Sequence, residues 1–261
     1  MNVLVFKIET IPDIEGGQAI YKLHGLDQDS TSKALFHLRK QKTGSNVLPL
    51  YLQRISAISV VYRGMGDGME DEVTVKSLGD ENSTEAELLT AFFDIIAQRA
   101  PTLVSWDGSG FDLPVIHYRS LKNNISAPDY WEKGDNNNSF QQENYLSRYH
   151  DKHTDLRDVF SSYNESEGAP LNDIALMLGY PGEQGMQKSE VWDQYRQGKL
   201  PAIRAYNETG AINTYLIYLR FQVIRGIINE AQLAQEYALL RSVLEKTEQA
   251  HLIEFSELWQ A

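Results

Sequence analysis

The chain has no cysteine among its 261 residues. That excludes disulfides, thiolate zinc sites and a cysteine nucleophile. It fits a reducing compartment, so a cytoplasmic location is the expectation. Long apolar runs are also missing. Near the N-terminus the longest is 3–6, far too short for a signal-peptide core or a membrane span, and no membrane partner is expected. Acidic residues are absent from 31–66, which carries Lys33, Arg39, Lys40, Lys42, Arg54 and Arg63. The whole chain has a net charge of −12, which argues against a generic nucleic-acid coat. A basic stretch inside such a chain is a candidate anion-facing surface, with a plain solvated face as the alternative.

What is present is an ordinary globular composition, 42% hydrophobic and 23% charged, long enough to bury a substantial core. The length suits one large domain or two small ones. Apolar and β-branched content predicts strands over 2–10, 54–63, 72–78 and 102–105, the second and third forming a hairpin around a turn at 64–68. Helical spacing spans 17–42, broken at Gly25. A capped helix opens at Ser83 and ends at Pro101, and another runs over 112–121. The Asn- and Gly-rich stretch 126–142 reads as a loop, and order resumes over 155–163. Helices follow over 171–178, 202–228 (long and amphipathic), 231–246 and 253–259. No internal repeat or interdomain linker is visible. The order predicts an α/β fold, a mixed sheet flanked by helices.

Side chains two apart on a strand share a face, so Lys7 and Glu9 point together at the end of the first strand. Strand ends are where α/β sheets bind ligands. Asp112 follows the tight turn Asp107-Gly108-Ser109-Gly110 at a helix start, where a plain cap is the alternative role. Tyr206, Asn207, Glu208, Thr209 and Gly210 lie on the long helix.

At these places the chain resembles the 3′–5′ exonucleases related to the proofreading domain of family B DNA polymerases, the DEDDy type of the ribonuclease-H-like superfamily. The stretches that carry it are Phe6-Lys7-Ile8-Glu9-Thr10-Ile11-Pro12-Asp13, Leu103-Val104-Ser105-Trp106-Asp107-Gly108-Ser109-Gly110-Phe111-Asp112-Leu113-Pro114 and Asn213-Thr214-Tyr215-Leu216-Ile217-Tyr218-Leu219-Arg220. Arg39-Lys40-Gln41-Lys42-Thr43-Gly44 and Ser147-Arg148-Tyr149-His150 add to it. The resemblance implies a ribonuclease-H-like domain over 1–230, with a helical C-terminal extension over 231–261 packed on it. It also implies hydrolysis of nucleic acid, single-stranded DNA 3′ ends above all, by two magnesium or manganese ions. Four carboxylates hold those ions in the family: an Asp-x-Glu on the first strand, an Asp after an Asn-x-x-x-Phe turn, and an Asp four residues after a Tyr on a late helix. Hard divalent cations need such a concentration of oxygen ligands and negative charge.

The sequence departs from that pattern. Lys7 stands at the first Asp position, Gly210 at the last, and Asp107 replaces the Asn, while Glu9, Asp112 and Tyr206 match. A unit charge about 4 Å from a divalent ion interacts by roughly 8 kcal/mol at an effective dielectric of 20. Exchanging an attractive neighbour for a repulsive one is therefore enough to empty the site. The Lys7 ammonium could take the metal's place, pairing with Glu9 and Asp112; a lysine snorkelling at a strand edge is the alternative. The resemblance thus implies a degenerate copy, inactive or severely impaired. Two other readings stay open: a weak single-metal exonuclease using Glu9, Asp112 and Asp107, with Asp155 as a further carboxylate nearby, and a non-catalytic protein-interaction module. Glu208 should point away from the site, two positions round the helix.

The same comparison makes Thr10, Asp107, Phe111, Arg39, Lys40 and Lys42 candidate substrate contacts. Tyr51, Tyr62 and Trp106 are possible base-stacking rings, or simply core. His150 and His153, three apart in a polar loop with no third ligand, read as substrate or structural residues. Gly182-Glu183-Gln184-Gly185-Met186-Gln187-Lys188-Ser189 falls short of a phosphate-binding loop. Gln187 replaces its second glycine, and no strand precedes it.

Overall fold

The computed structural model describes residues 1–65, 71–133, 143–147, 150–164 and 168–259. Parts of the predicted turn at 64–68 and of the loop at 126–142 lie outside the described residues, as do Arg148 and Tyr149.

Five strands form one mixed sheet. β1 (Val3–Pro12) lies at its centre, antiparallel to β2 (Gln53–Met65) on one side and parallel to β4 (Thr102–Ser105) on the other. β3 (Asp71–Ser77) extends the β2 side antiparallel, and β5 (His153–Asp155) extends the β4 side parallel, giving the order β3-β2-β1-β4-β5. This is the ribonuclease-H-like α/β architecture that the sequence implied.

The two faces of β1 follow its period-2 pattern. Leu4, Phe6 and Ile8 pack with Leu88, Leu89 and Phe92 of α3 (Glu85–Arg99) and with Val115 and Ile116 of α4 (Leu113–Asn123). Val3 and Val5 pack on the other face with α9 (Leu200–Ile224), whose Ala211, Ile212, Tyr215 and Leu216 share that core. The helix starts have local causes. Thr84 and Glu87 form a capping box on α3, and Asp27 caps α2 (Gln28–Thr43), which Gly44 ends in a left-handed conformation. α1 (Ile14–Tyr21) is capped by Asp13. The predicted 17–42 helix is therefore two helices, separated around Gly25.

Three other expectations need correction. α9 is not amphipathic. Residues 206–219 are buried on every side, because the sheet lies beneath and α7 (Leu171–Met177), α10 (Glu230–Lys246) and α11 (Ala250–Leu258) cover the rest. Two short helices were missed, α5 (Pro128–Trp131) and α8 (Val191–Arg196); both are under two turns, too short for a periodic signal. α6 (Leu156–Phe160) accounts for the ordered stretch after β5.

The third correction concerns Arg63. It is not part of an anion-facing surface. Its guanidinium is buried and holds Glu236 of α10 through Nε (2.8 Å) and Nη2 (2.9 Å), with Asp71 at 2.8 Å. Tyr215 of α9 donates to the same Glu236 at 3.0 Å. Leu233, Leu240 and Leu244 of α10 and Leu252 and Phe255 of α11 join the core of Val3 and Val5, so both helices pack on the sheet's α9 face. Arg63→Ala strands a buried carboxylate and is expected to cost about 3–5 kcal/mol in equilibrium urea unfolding. A cost below about 1 kcal/mol would mean that water reaches the pair and that α10 is held by its leucines alone.

Candidate nucleic-acid-processing site

β4 pairs with β1 only over Val3–Val5 and ends at Ser105, so the far end of β1 opens into a crevice. The Ile8 N–H there has a side-chain partner, accepting oxygen Asp112 Oδ1 at 3.1 Å. A single wide turn over Gly108–Asp112 delivers that carboxylate to the start of α4. Asp107 opens the turn at φ 67°, a left-handed conformation that Asp and Asn tolerate better than most residues. Asp155, at the end of β5, pins the turn by accepting from Asp107 N (3.0 Å) and Ser109 N (2.7 Å) while capping α6 through Arg157 N (3.1 Å).

Lys7 and Glu9 project from β1 toward α9, as their spacing predicted. The Lys7 ammonium contacts Glu9 Oε1 directly and Asn207 Oδ1 at 3.3 Å, and lies 4.9 Å from the centre of the Tyr206 ring. Burial disfavours the ammonium, but Glu9, with smaller pulls from Glu183 and Asp112, holds the Lys7 pKa above its ordinary value. Pairing with Asp112, expected from the sequence, is not seen. Glu9 is the one carboxylate partner of Lys7 among the described residues. Burial pushes the Asp112 carboxyl up to about 7, against the pull of Lys7 and of the Ile8 N–H.

Gly210 lies one helical turn after Tyr206 and directly against Lys7. A Cβ at 210 would come 2.7 Å from Lys7 Cδ and 2.9 Å from Cε. The lysine stem fills the room that a side chain at 210 would need. Glycine suits the close approach of the lysine stem here, and its backbone angle is an ordinary helical one.

Sequence reasoning missed what supports this arrangement. Lys7, Ser59 and Ser77 are register partners across β1, β2 and β3, so they form one polar row beneath α9. Asn207 donates from Nδ2 to Lys7 O and to Ser59 Oγ, both at 2.9 Å. Ser59 Oγ and Ser77 Oγ are 2.8 Å apart, and Ser77 Oγ donates to Glu208 Oε1 at 2.6 Å. Glu208 Oε2 meets His251 Nε2 of α11 at 2.7 Å. Glu208 does point away from the crevice, as expected. The signal available was a serine in each strand of the predicted hairpin.

The remaining candidates are dispersed. Asp107 pairs with Arg157 at 3.0 Å. Thr10 Oγ1 donates to Gln53 at 2.8 Å, and Phe111 lies 4.6 Å beneath the Lys188 ammonium. Arg39, Lys40 and Lys42 are on α2, and Arg39 Nε donates to Val47 O at 2.8 Å. Tyr51 faces Tyr118 edge-on, Arg99 lies over the Tyr62 ring, and Trp106 Nε1 donates to Ala169 O at 3.1 Å. His153 belongs to β5 rather than to a loop. It is 2.8 Å from Ser105 Oγ, and burial lowers its pKa to about 4, keeping it neutral. His150 Nδ1 accepts from Asn144 N at 3.0 Å.

Two divalent ions do not fit this donor set. Of the four positions that the resemblance implies, two hold carboxylates, and Glu9 is already engaged by an ammonium. Asp155 is spent on backbone N–H groups and Asp107 on Arg157. No group of three or more His, Asp or Glu suited to a metal exists among the described residues.

A family model described as a predicted 3′–5′ exonuclease related to the exonuclease domain of PolB matches residues 45–259. The chain belongs to that family, which generally uses divalent metals and whose activity implies nucleic-acid binding. The match includes Asp107, Asp112, Tyr206 and Gly210 and begins after β1. No curated protein matches the chain. Among the described residues no helix is long and apolar enough to cross a membrane.

Two outcomes follow. In a helix interior Gly→Ala ordinarily stabilises by up to about 1 kcal/mol. Gly210→Ala is expected instead to destabilise by about 1–2 kcal/mol, from overpacking against Lys7. In a Lys7→Ser background the sign should reverse. Stabilisation in both backgrounds would show that the lysine stem moves aside freely. Asp112 gives a pH signature. Its folded pKa is raised, so its stabilising contribution is full below the ordinary carboxylate range and is lost as pH rises through about 7. Urea midpoints measured between pH 4.5 and 8 should fall more steeply for the parent chain than for Asp112→Asn, and parallel profiles would contradict the assignment.

Proposed function

We propose that the chain binds nucleic acid at the end of β1, preferring the 3′ end of single-stranded DNA, with hydrolysis abolished or severely impaired. One observation carries this reading. The Lys7 ammonium sits against Glu9 while its stem occupies the space over Gly210, so the two altered family positions are filled by one side chain. Glu9, Asp112 and Tyr206 retain the family's residue types around it. Thr10, Asp107, Phe111, Arg39, Lys40 and Lys42 are the proposed substrate contacts. Magnesium or manganese serves the family, and no step is assigned to either here, because the donors left do not suit two ions.

The single-metal alternative needs Asp107 as a ligand, and the Asp107–Arg157 pair counts against it. A protein-interaction role without nucleic acid predicts no salt-dependent binding of single-stranded DNA.

The test is a cleavage time course on single-stranded DNA labelled to follow its 3′ end, with magnesium or manganese, beside the double variant Lys7→Asp, Gly210→Asp. The expected outcome is an inert parent chain and a cutting variant. Metal-dependent cutting by the parent chain would overturn the proposal and make Asp107→Ala the next variant to measure.

A further inference from the structure

A cleft of about 340 Å³ lies over the middle of β1, at Phe6 and Lys7. Its walls include Lys7 from β1, Trp106 and Asp107 after β4, Arg157 from α6, and Glu183 and Lys188 from the segment between α7 and α8. The three cations therefore come from three separate parts of the chain. Two of them are already paired, Lys7 with Glu9 and Arg157 with Asp107. Lys188 has no carboxylate partner among the described residues; its ammonium sits over the Phe111 ring. An ammonium carries three N–H donors. Lys7 uses one on Glu9 and one on Asn207, and its side chain is 17% exposed. One donor of Lys7 and those of Lys188 make no hydrogen bond among the described residues, while Glu183 on the same wall also acts on Lys7. The half-buried Trp106 ring adds an aromatic wall, and single strands are held by aromatic rings combined with cations.

We propose that this cleft captures the terminal nucleotide of a single strand without a divalent metal, its phosphate bound by Lys7 and Lys188. Lys7 then does more than block metal. It is the fixed cation to which the phosphate binds, positioned by Glu9, Asn207 and the Tyr206 ring. Lys188 supplies the second cation from the segment between α7 and α8. The cleft holds one nucleotide rather than a duplex, so the ligand is a strand end. This rests on the nucleic-acid reading above and adds to it that the metal is dispensable for binding.

The test is fluorescence anisotropy of a 5′-fluorescein-labelled single-stranded oligothymidine with the full chain in EDTA, repeated with magnesium. Binding is expected in EDTA, no tighter with magnesium. An unlabelled linear strand should compete at least about tenfold better than a circular one. Lys7→Met and Lys188→Met should each weaken binding by about tenfold or more, the loss expected for one charge-assisted hydrogen bond. Lys188 is exposed, so its variant keeps the test decisive if Lys7→Met misfolds. Binding that appears only with magnesium, equal competition by circular DNA, or unchanged affinity in Lys188→Met would overturn the proposal. Any of these would leave the loss of hydrolysis standing, and cleavage by the parent chain would reverse that separately.

Discussion

A largely buried ammonium midway along the central strand is the constraint around which this molecule is arranged. Taking a charge out of water costs several kcal/mol unless partners are provided. Glu9 supplies the countercharge, Asn207 a carbonyl and Tyr206 a ring face. Two of those three groups come from α9, which must therefore lie close over the sheet. Gly210 permits that approach. The helix that seals the site is also the helix on which the core of Val3, Val5 and the C-terminal leucines is built.

The polar row beneath α9 follows from the same constraint. Asn207 can face Lys7 only if its own amide is satisfied, and Ser59 does this from the neighbouring strand. Ser59 needs Ser77, and Ser77 meets Glu208, a buried carboxylate whose second oxygen is taken by His251. Hydrogen bonds from His251 and Ser77 hold the Glu208 pKa below its ordinary value despite burial. A partly satisfied buried network is worse than an apolar core. The line therefore runs without a break from the site to α11, where His251 is partly exposed. The C-terminal helices thus do more than cover apolar surface; α11 supplies the last polar partner of the row.

Much of this was legible in the sequence. The apolar run of β1 and the capped start of the helix after Ser83 are local signals, and each has its expected structure, with the cap one residue on at Thr84. The convergence of Glu9, Asp112, Tyr206 and Gly210 came from family resemblance, since no local rule joins positions so far apart. What stayed hidden was long-range. α9 carries Asn207, Glu208, Thr209, Asn213 and Thr214, which read as a solvated face until the partners that bury them are known. Arg63 looked like part of a basic surface because Glu236, far along the chain, neutralises it. Periodicity reports which residues share a face but not what lies opposite.

Lys7 and Gly210 are complementary in space. A carboxylate at 210 beside Lys7 would need its Cβ where the lysine stem already lies. An acid at position 7 opposite Gly210 would set a new negative charge among Glu9 and Asp112 with no cation to balance it. Such carboxylates raise one another's pKa and compete for protons, or they must recruit a metal. The arrangement present avoids both problems with one side chain: its charge balances Glu9 and its stem lies where a side chain at 210 would go. The two positions therefore act as a single structural unit.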